Sequence, residues 1–147
     1  MRTLGIDHGT VRIGLALSDD LGLLARPLET VANELALSRI PELVRLHGIR
    51  TVVLGLPLRL DGSEGSAAER VRKFLAELEP ALPPGTTVVL RDESLTTMEA
   101  EQSLRAAGHR DTRKVIDQTA AAVILQEHLD QQNAATIWLA PEDEDIA

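Results

Sequence analysis

Leu4-Gly-Ile-Asp-His-Gly-Thr-Val-Arg-Ile-Gly-Leu-Ala-Leu-Ser18 reads as a buried strand, a tight glycine turn and a second strand returning beside the first. From Arg12 to Ser18 the residues alternate. Ile13, Leu15 and Leu17 point one way, and Arg12, Gly14, Ala16 and Ser18 the other. Asp7 stands near the end of the first strand, and Gly5 and Gly9, on its own face, carry no side chains to cover it. A carboxylate at the end of an apolar strand is costly unless something pairs with it. Identifying that partner, and any later acids that converge on the same point, decides what the chain does.

Outward from this hairpin, Asp19-Asp20-Leu-Gly22 is turn chemistry, and Leu23 to Val31 predicts a third strand. Its Pro27 fits an edge or a strand start. Asn33 is placed to cap a helix running to about His47, with Gly48 ending it. Pro41 inside that run predicts a kink or two short helices. Thr51 to Leu56 is continuously apolar, as in a sheet interior covered on both faces. A loop through Gly55-Leu-Pro-Leu-Arg-Leu-Asp-Gly-Ser63 leads to a helix over about Ser66 to Leu78, where Ser66 and Glu69 have capping-box spacing. Thr86 to Leu90 predicts a fifth strand. Thr96 and Glu99 repeat the capping-box spacing at the head of a helix to Ala107, and a last helix is expected from about Thr112 to Gln131. Residues 135–140 are expected to form a short strand or to pack down.

Three strands joined by hairpins, then helix, strand, helix, strand and helix, predict an α/β fold. Its five-stranded mixed sheet has three antiparallel strands followed by two parallel ones, with helices on both faces. That order suits a ribonuclease H-like fold and leaves flavodoxin-like folds open. At 147 residues a single domain is expected over 1–140, with 141–147 as an acidic, disordered tail.

The absence of cysteine excludes disulfides, thiolate metal sites and a cysteine nucleophile. The opening residues lack a basic region followed by an apolar run, and no stretch approaches the roughly 20 apolar residues of a membrane span. A cytoplasmic protein is expected. Net charge is −8, but without the four acids of Glu142–Asp145 the balance is 19 acids against 15 bases. Arg105, Arg110, Arg113 and Lys114 form a local basic segment, either a solvated helix end or a phosphate contact. With Phe74 and Trp138 the only aromatics besides histidine, a base-stacking platform is not expected.

Asp7 after the first strand, Glu93 after the fifth and Asp117 early in the last helix stand where strand ends and helix starts can bring them together. Ala120, Ala121 and Ile124 follow Asp117 by three, four and seven residues, so this acid shares a face with small and apolar side chains. Clustered carboxylates must take up protons or bind cations. Oxygen ligands without cysteine suit Mg²⁺ or Mn²⁺, and two such ions can activate water and stabilise a leaving oxygen in phosphodiester hydrolysis. The bland alternative has Asp7 ordering its turn, Glu93 capping a helix and Asp117 offsetting a helix dipole. Asp92 competes with Glu93, since neighbours on a strand face opposite ways.

Asp7-His-Gly-Thr-Val-Arg-Ile-Gly-Leu-Ala-Leu-Ser-Asp19, Gly55-Leu-Pro-Leu-Arg-Leu-Asp-Gly-Ser-Glu-Gly65, Asp92-Glu-Ser-Leu-Thr-Thr97 and Lys114-Val-Ile-Asp-Gln-Thr-Ala-Ala-Ala-Val-Ile-Leu125 together resemble the YqgF/RuvX family. These are bacterial ribonuclease H-like proteins linked to pre-16S ribosomal RNA processing and to Holliday-junction resolution. The resemblance implies that Asp7, Glu93 and Asp117 are catalytic acids holding two Mg²⁺ or Mn²⁺ ions. It implies that Arg12 and Lys114 contact phosphate or steady the acids, with Arg110 and Arg113 beside them. The loop of Gly55 and Pro57 is expected to line the substrate groove, or to serve only as a strand exit. The chain departs from the family pattern at Val11, Arg59 and Ser94, where lysine, asparagine and arginine are common. A basic contact is therefore expected to have moved to Arg59 and Arg91.

The function implied is a metal-dependent endonuclease, a hydrolase acting on ester bonds of pre-16S ribosomal RNA, with a four-way DNA junction as the alternative substrate. The expected partner is nucleic acid, and the expected state a monomer or homodimer. Two readings of other classes compete. One is a nucleotide-binding protein, because Asp-x-Gly-Thr also opens the phosphate loop of actin-like ATPases. The other is a non-catalytic RNA-binding assembly factor. His8 is read as a core residue, and Asp61-Gly62 as a turn.

Overall fold

A computed structural model describes residues 1–93 and the backbone of 112–146, with side chains over 117–134 of the second stretch. The expected helix over 96–107, its Thr96–Glu99 capping box, and Ser94, Arg105, His109 and Arg110 lie outside the described residues.

Five strands form one sheet in the order β3-β2-β1-β4-β5. Strand β1 (Arg2–His8) pairs antiparallel with β2 (Arg12–Ser18), and β2 pairs antiparallel with β3 (Ala25–Ala32). Strands β4 (Ile49–Leu56) and β5 (Thr87–Asp92) add in parallel on the other side of β1. This is the predicted mixed sheet. Pro27 sits on the edge strand, opposite Ala16 and next to a register shift, where its missing N–H costs no interior ladder bond.

One face of the sheet carries Leu4, Ile6, Ile13, Leu15, Val52 and Leu54, each fully buried against the helices α1 (Ala36–His47) and α2 (Ser66–Leu78). Every such side chain removed from water contributes roughly 1.5–3 kcal/mol. The opposite face carries Ala16 and Val53. It packs against a stripe of α3 (Thr112–Ile146) formed by Ala121, Ile124, Leu125 and Leu129. The spacing of that stripe is helical, and only its inner side is apolar.

The near approach of α3 depends on glycines. A Cβ on Gly5 would stand 2.8 Å from Leu125 Cβ and 2.9 Å from the Ala121 carbonyl oxygen. One on Gly14 would stand 1.9 Å from the carbonyl oxygen of Asp117. Gly5 therefore admits the helix; it does not leave space beside Asp7 for a ligand. Polar ties fix the helix lengthwise. Gln126 accepts from the Ala25 N–H at 2.8 Å and donates to the Leu23 carbonyl at 2.9 Å, and Asn133 donates to the Gly22 carbonyl.

Several local expectations change. Asn33 does not cap α1: it opens a short 3₁₀ turn (Asn33–Leu35), and its side chain donates to the Gly9 carbonyl at 2.7 Å, bracing the β1–β2 turn. Helix α1 stays continuous through Pro41 and ends at Gly48, which takes the left-handed conformation with φ +63°. Ser66 is the first helical residue of α2 and makes no capping bond. Gly65 occupies the cap position instead, so the capping-box spacing is out of phase by one residue. The backbone of α3 continues as helix to Ile146, past the expected end near Gln131 and through residues 135–140, expected to form a short strand or to pack down. The alanine- and glutamine-rich run after Asp130 favours helix over strand. Asp61 forms the expected turn, its carboxylate accepting from the Ser63 N–H.

Replacing Gly14 by Ala drives a methyl group into the α3 backbone, which has no flexible end to yield. The expected loss is about 3 kcal/mol, the upper part of the range for overpacked sites. Urea denaturation followed by circular dichroism measures it, and a variant as stable as wild type would mean that α3 is not seated this closely.

Candidate active site

In a sheet of this kind the carboxyl ends of parallel strands form the natural ligand edge. Strands β1, β4 and β5 all end there, at His8, Leu56 and Asp92. Strand alternation turns Asp7 to the α3 side and His8 to the α2 side. Glu93 follows β5 directly, and its N–H donates to the Leu56 carbonyl at 3.2 Å, which fixes the chain as it leaves the sheet. Asp92 is exposed whereas Glu93 is 6% exposed, so Glu93 is the acid turned inward.

Asp7 is 8% exposed, and Glu93 lies against it. Burial, a hydrogen bond to Asp7 and repulsion from the Asp7 and Asp92 charges push the Glu93 carboxyl up to about 10 from its ordinary 4.5. At neutral pH, in the absence of a cation, Glu93 therefore keeps its proton and donates it toward Asp7. Its Oε2 atom is buried and has no hydrogen-bond partner. Space for this carboxyl comes from Gly55, where a Cβ would stand 2.5 Å from Glu93 Oε2 and 2.8 Å from the Ile124 methyl. Gly55 thus acts as clearance beneath the acid.

Asp117 reaches the same edge from α3, half-buried. The Arg12 Nε donates to its Oδ2 at 3.1 Å. Burial and the Asp7 charge raise its carboxyl, and Arg12 opposes them. Beside the pair, Gly9, Thr10, Val11, Arg12 and Asp117 line an open groove of about 320 Å³. Asp7 and Glu93 meet directly, while Asp117 is held by Arg12. Among the described residues, no three acids or histidines stand close enough together to form a ready metal cage.

The other expected residues are placed as follows. Pro57 and Arg59 lie in the loop after β4, and Arg59 lies over Gly65, whose Cβ would meet its Nε at 2.7 Å. Together with Leu58, Ser66 and Ala67 they line a cleft of about 170 Å³ at the start of α2. Arg91 turns away from the acids. Its Nε donates to His128 Nδ1 at 3.1 Å and its Nη1 to Gln131, tying β5 to α3. Arg91 is therefore not the displaced phosphate contact expected from the sequence. Arg113 and Lys114 fall in the first turn of α3 by backbone alone. His128 is buried, with Nε2 unpartnered. Nothing in its sequence surroundings signalled that.

A family model described as RuvX, Holliday junction resolvase, matches residues 1–131. The chain belongs to the RuvX family. Among its RuvX relatives, a protein of Syntrophus aciditrophicus is 47% identical over 137 residues, covering 88% of this chain and 89% of its own length. One of Geobacillus kaustophilus is 45% identical over 141 residues, covering 90% of this chain and 99% of its own. Both carry the name "Putative pre-16S rRNA nuclease". In fold the RuvX chain is similar to Thermus thermophilus RuvC, solved in complex with a Holliday junction substrate. The TM-score is 0.56 at 18% identity, with 91% of this chain and 96% of that one covered. The fold is ribonuclease H-like, one of the folds that the element order left open and the one that the resemblance implied.

The Glu93 carboxyl gives a pH signature. The folded protein holds its proton up to about pH 10, whereas the unfolded chain releases it near 4.5, so the fold binds more protons between those values. Stability from this group is accordingly lost as pH rises through that window. Glu93→Gln keeps a donor toward Asp7 and has no proton to lose. With chelator present it should be more stable than wild type at pH 8, by on the order of 2 kcal/mol or more, and close to wild type at pH 5. Thermal melts at the two pH values measure this. Equal melting temperatures at pH 8 would show that Glu93 ionises freely in the fold.

Proposed function

We propose that this RuvX-family protein is a nuclease that hydrolyses phosphodiester bonds of structured nucleic acid in the cytoplasm, its substrate being the 5′ region of pre-16S ribosomal RNA. The observation that carries this reading is the Asp7–Glu93 pair, two buried carboxyls sharing one proton beside an open groove at the carboxyl edge of the sheet. The relatives' names supply the substrate.

The donor set fits a divalent cation. Two oxygen-bearing groups lie together, one with an unpartnered buried oxygen, and the chain has no cysteine. In this reading Asp7, Glu93 and Asp117 are the catalytic acids and would hold Mg²⁺ or Mn²⁺. Two such ions, when bound, supply an activated water and charge neutralisation at the leaving oxygen. The chain's own residues do the rest. Gly55 and α3 keep bulk water from Glu93, whose carboxylate would hold the cation in place of its proton. Arg12 restrains Asp117 and offers its remaining N–H groups to the groove, where a substrate phosphate would lie. In this reading Arg113 and Lys114, on the first turn of α3, are phosphate contacts together with Arg110 just before them in the sequence, and Arg59 with Pro57 serves from the loop after β4.

A four-way DNA junction is the second reading, favoured by the description of the family model. Resolving a junction needs two symmetric cuts and so a two-fold dimer.

Cleavage of precursor RNA and of a synthetic four-way junction, each with Mn²⁺ and with chelator, tests both readings. Asp7→Asn, Glu93→Gln and Asp117→Asn should each lower cleavage at least about 100-fold, the scale of losing a group that acts on the reacting atoms. Binding measured in chelator should be kept. Undiminished cleavage by any of the three removes that acid from the site. Cutting of the junction alone, by a dimer, selects the second substrate.

A further inference from the structure

A second groove opens on the other side of the β1–β2 turn from the carboxylates. His8, Asn33, Arg70, Lys73, Phe74 and Glu77 line about 230 Å³ between the carboxyl end of β1 and the outer side of α2. The position of α2 here is set by contact between the rings of His8 and Phe74, whose centroids are 4.7 Å apart. That contact holds Arg70 and Lys73, one turn below Phe74 and beside it, at the level of the active edge. Arg70 is near enough for its charge to act on the His8 ring.

Three observations point to an anionic occupant. Arg70 and Lys73 are exposed and form no ion pair among the described residues, whereas their neighbour Arg72 is clamped by Glu64 at 2.6 Å and 2.8 Å. Among the described residues the one acid lining the groove, Glu77, stands a full turn beyond Lys73 on α2. The groove and the active site are also lined by consecutive residues: Asp7 belongs to the acid pair, His8 lines this groove, and Gly9 lines the groove of Arg12 and Asp117. Asn33 braces the ridge between the two by donating to the Gly9 carbonyl.

We propose that Arg70 and Lys73 hold backbone phosphates of the nucleic-acid strand whose scissile bond lies at Asp7 and Glu93, so that the strand crosses the sheet edge over the Gly9 turn and continues along α2. This assignment rests on the nuclease reading above. It extends the substrate path to the opposite face of the sheet from the basic segment at the start of α3. The contact is to phosphate, so it positions the strand without reading its sequence.

The double variant Arg70→Gln/Lys73→Gln tests it, with Arg72→Gln as the control for a cation of α2 already paired with Glu64. Binding of labelled precursor RNA, and separately of a four-way DNA junction, is measured by fluorescence anisotropy in chelator from 50 to 300 mM salt. Circular dichroism confirms that α2 is kept. The double variant should bind at least about tenfold more weakly at low salt, and its slope of log affinity against log salt should be shallower by about 1.4 to 1.8, the value of two lost phosphate contacts. Arg72→Gln should leave the slope as in wild type. A double variant with the wild-type slope on both substrates overturns the proposal while leaving the nuclease reading standing. Wild-type protein that binds neither substrate overturns the nuclease reading itself. A changed slope on one substrate alone supports the proposal and identifies which nucleic acid follows this path.

Discussion

The close approach of α3 to the glycine-bearing face of the sheet is the constraint on which the rest of the molecule depends. Gly5, Gly14 and Gly55 lie on that face, and at each a single added carbon would meet α3 or the acid lodged against it at under 3 Å. Small residues on the helix, Ala120 and Ala121, complete the fit. A looser seat would admit water to Glu93 and carry Asp117 away from the sheet edge. The apolar contacts of Ile124, Leu125 and Leu129 supply the attraction, and the glycines set how near it can draw the helix.

What that seat encloses works against stability. Asp7 and Glu93 are held together where water cannot solvate two negative charges, so one proton stays between them. Asp117, less buried, keeps its charge company with Arg12. The three acids are thus in different electrostatic states before any ligand arrives. Such concentrations of unfavourable charge persist where the surrounding fold over-determines them, and they are characteristic of sites that act on ligands.

The sheet divides labour between its faces. On the α1 and α2 side, a continuous aliphatic core supplies most of the burial. On the α3 side a thinner apolar stripe gives way, toward the carboxyl edge, to the acids. His8 is where the two meet: its ring closes the aliphatic core against Phe74, while its neighbour Asp7 belongs to the acid pair. Reading α2 as part of the substrate path makes that edge, rather than either face, the functional surface.

Much of this was legible in the sequence, for reasons specific to particular residues. Alternation in Arg12–Ser18, the apolar run ending at Leu56 and the proline at position 27 are local signals, and they led to the sheet, its mixed pairing and its edge strand. The spacing of Asp117 to Ala120, Ala121 and Ile124 placed that acid on the inner stripe of its helix. Local pattern could not say which glycine serves which neighbour. Gly5 admits a helix, whereas Gly55 on the same face makes the space for Glu93, because each contact involves a partner distant in the chain. The capping signal at Ser66 and the role of Asn33 failed for the same reason: a one-residue shift in where a helix starts, or a carbonyl offered by a distant turn, redirects a polar side chain. The sequence by itself determined the sheet and which acids are present, since periodicity and residue type are properties of short segments. Only the tertiary structure decided that Glu93 shares its proton with Asp7, that Asp117 pairs with Arg12, and that Arg91 turns to His128. Those outcomes follow from burial and from distances between segments far apart along the chain.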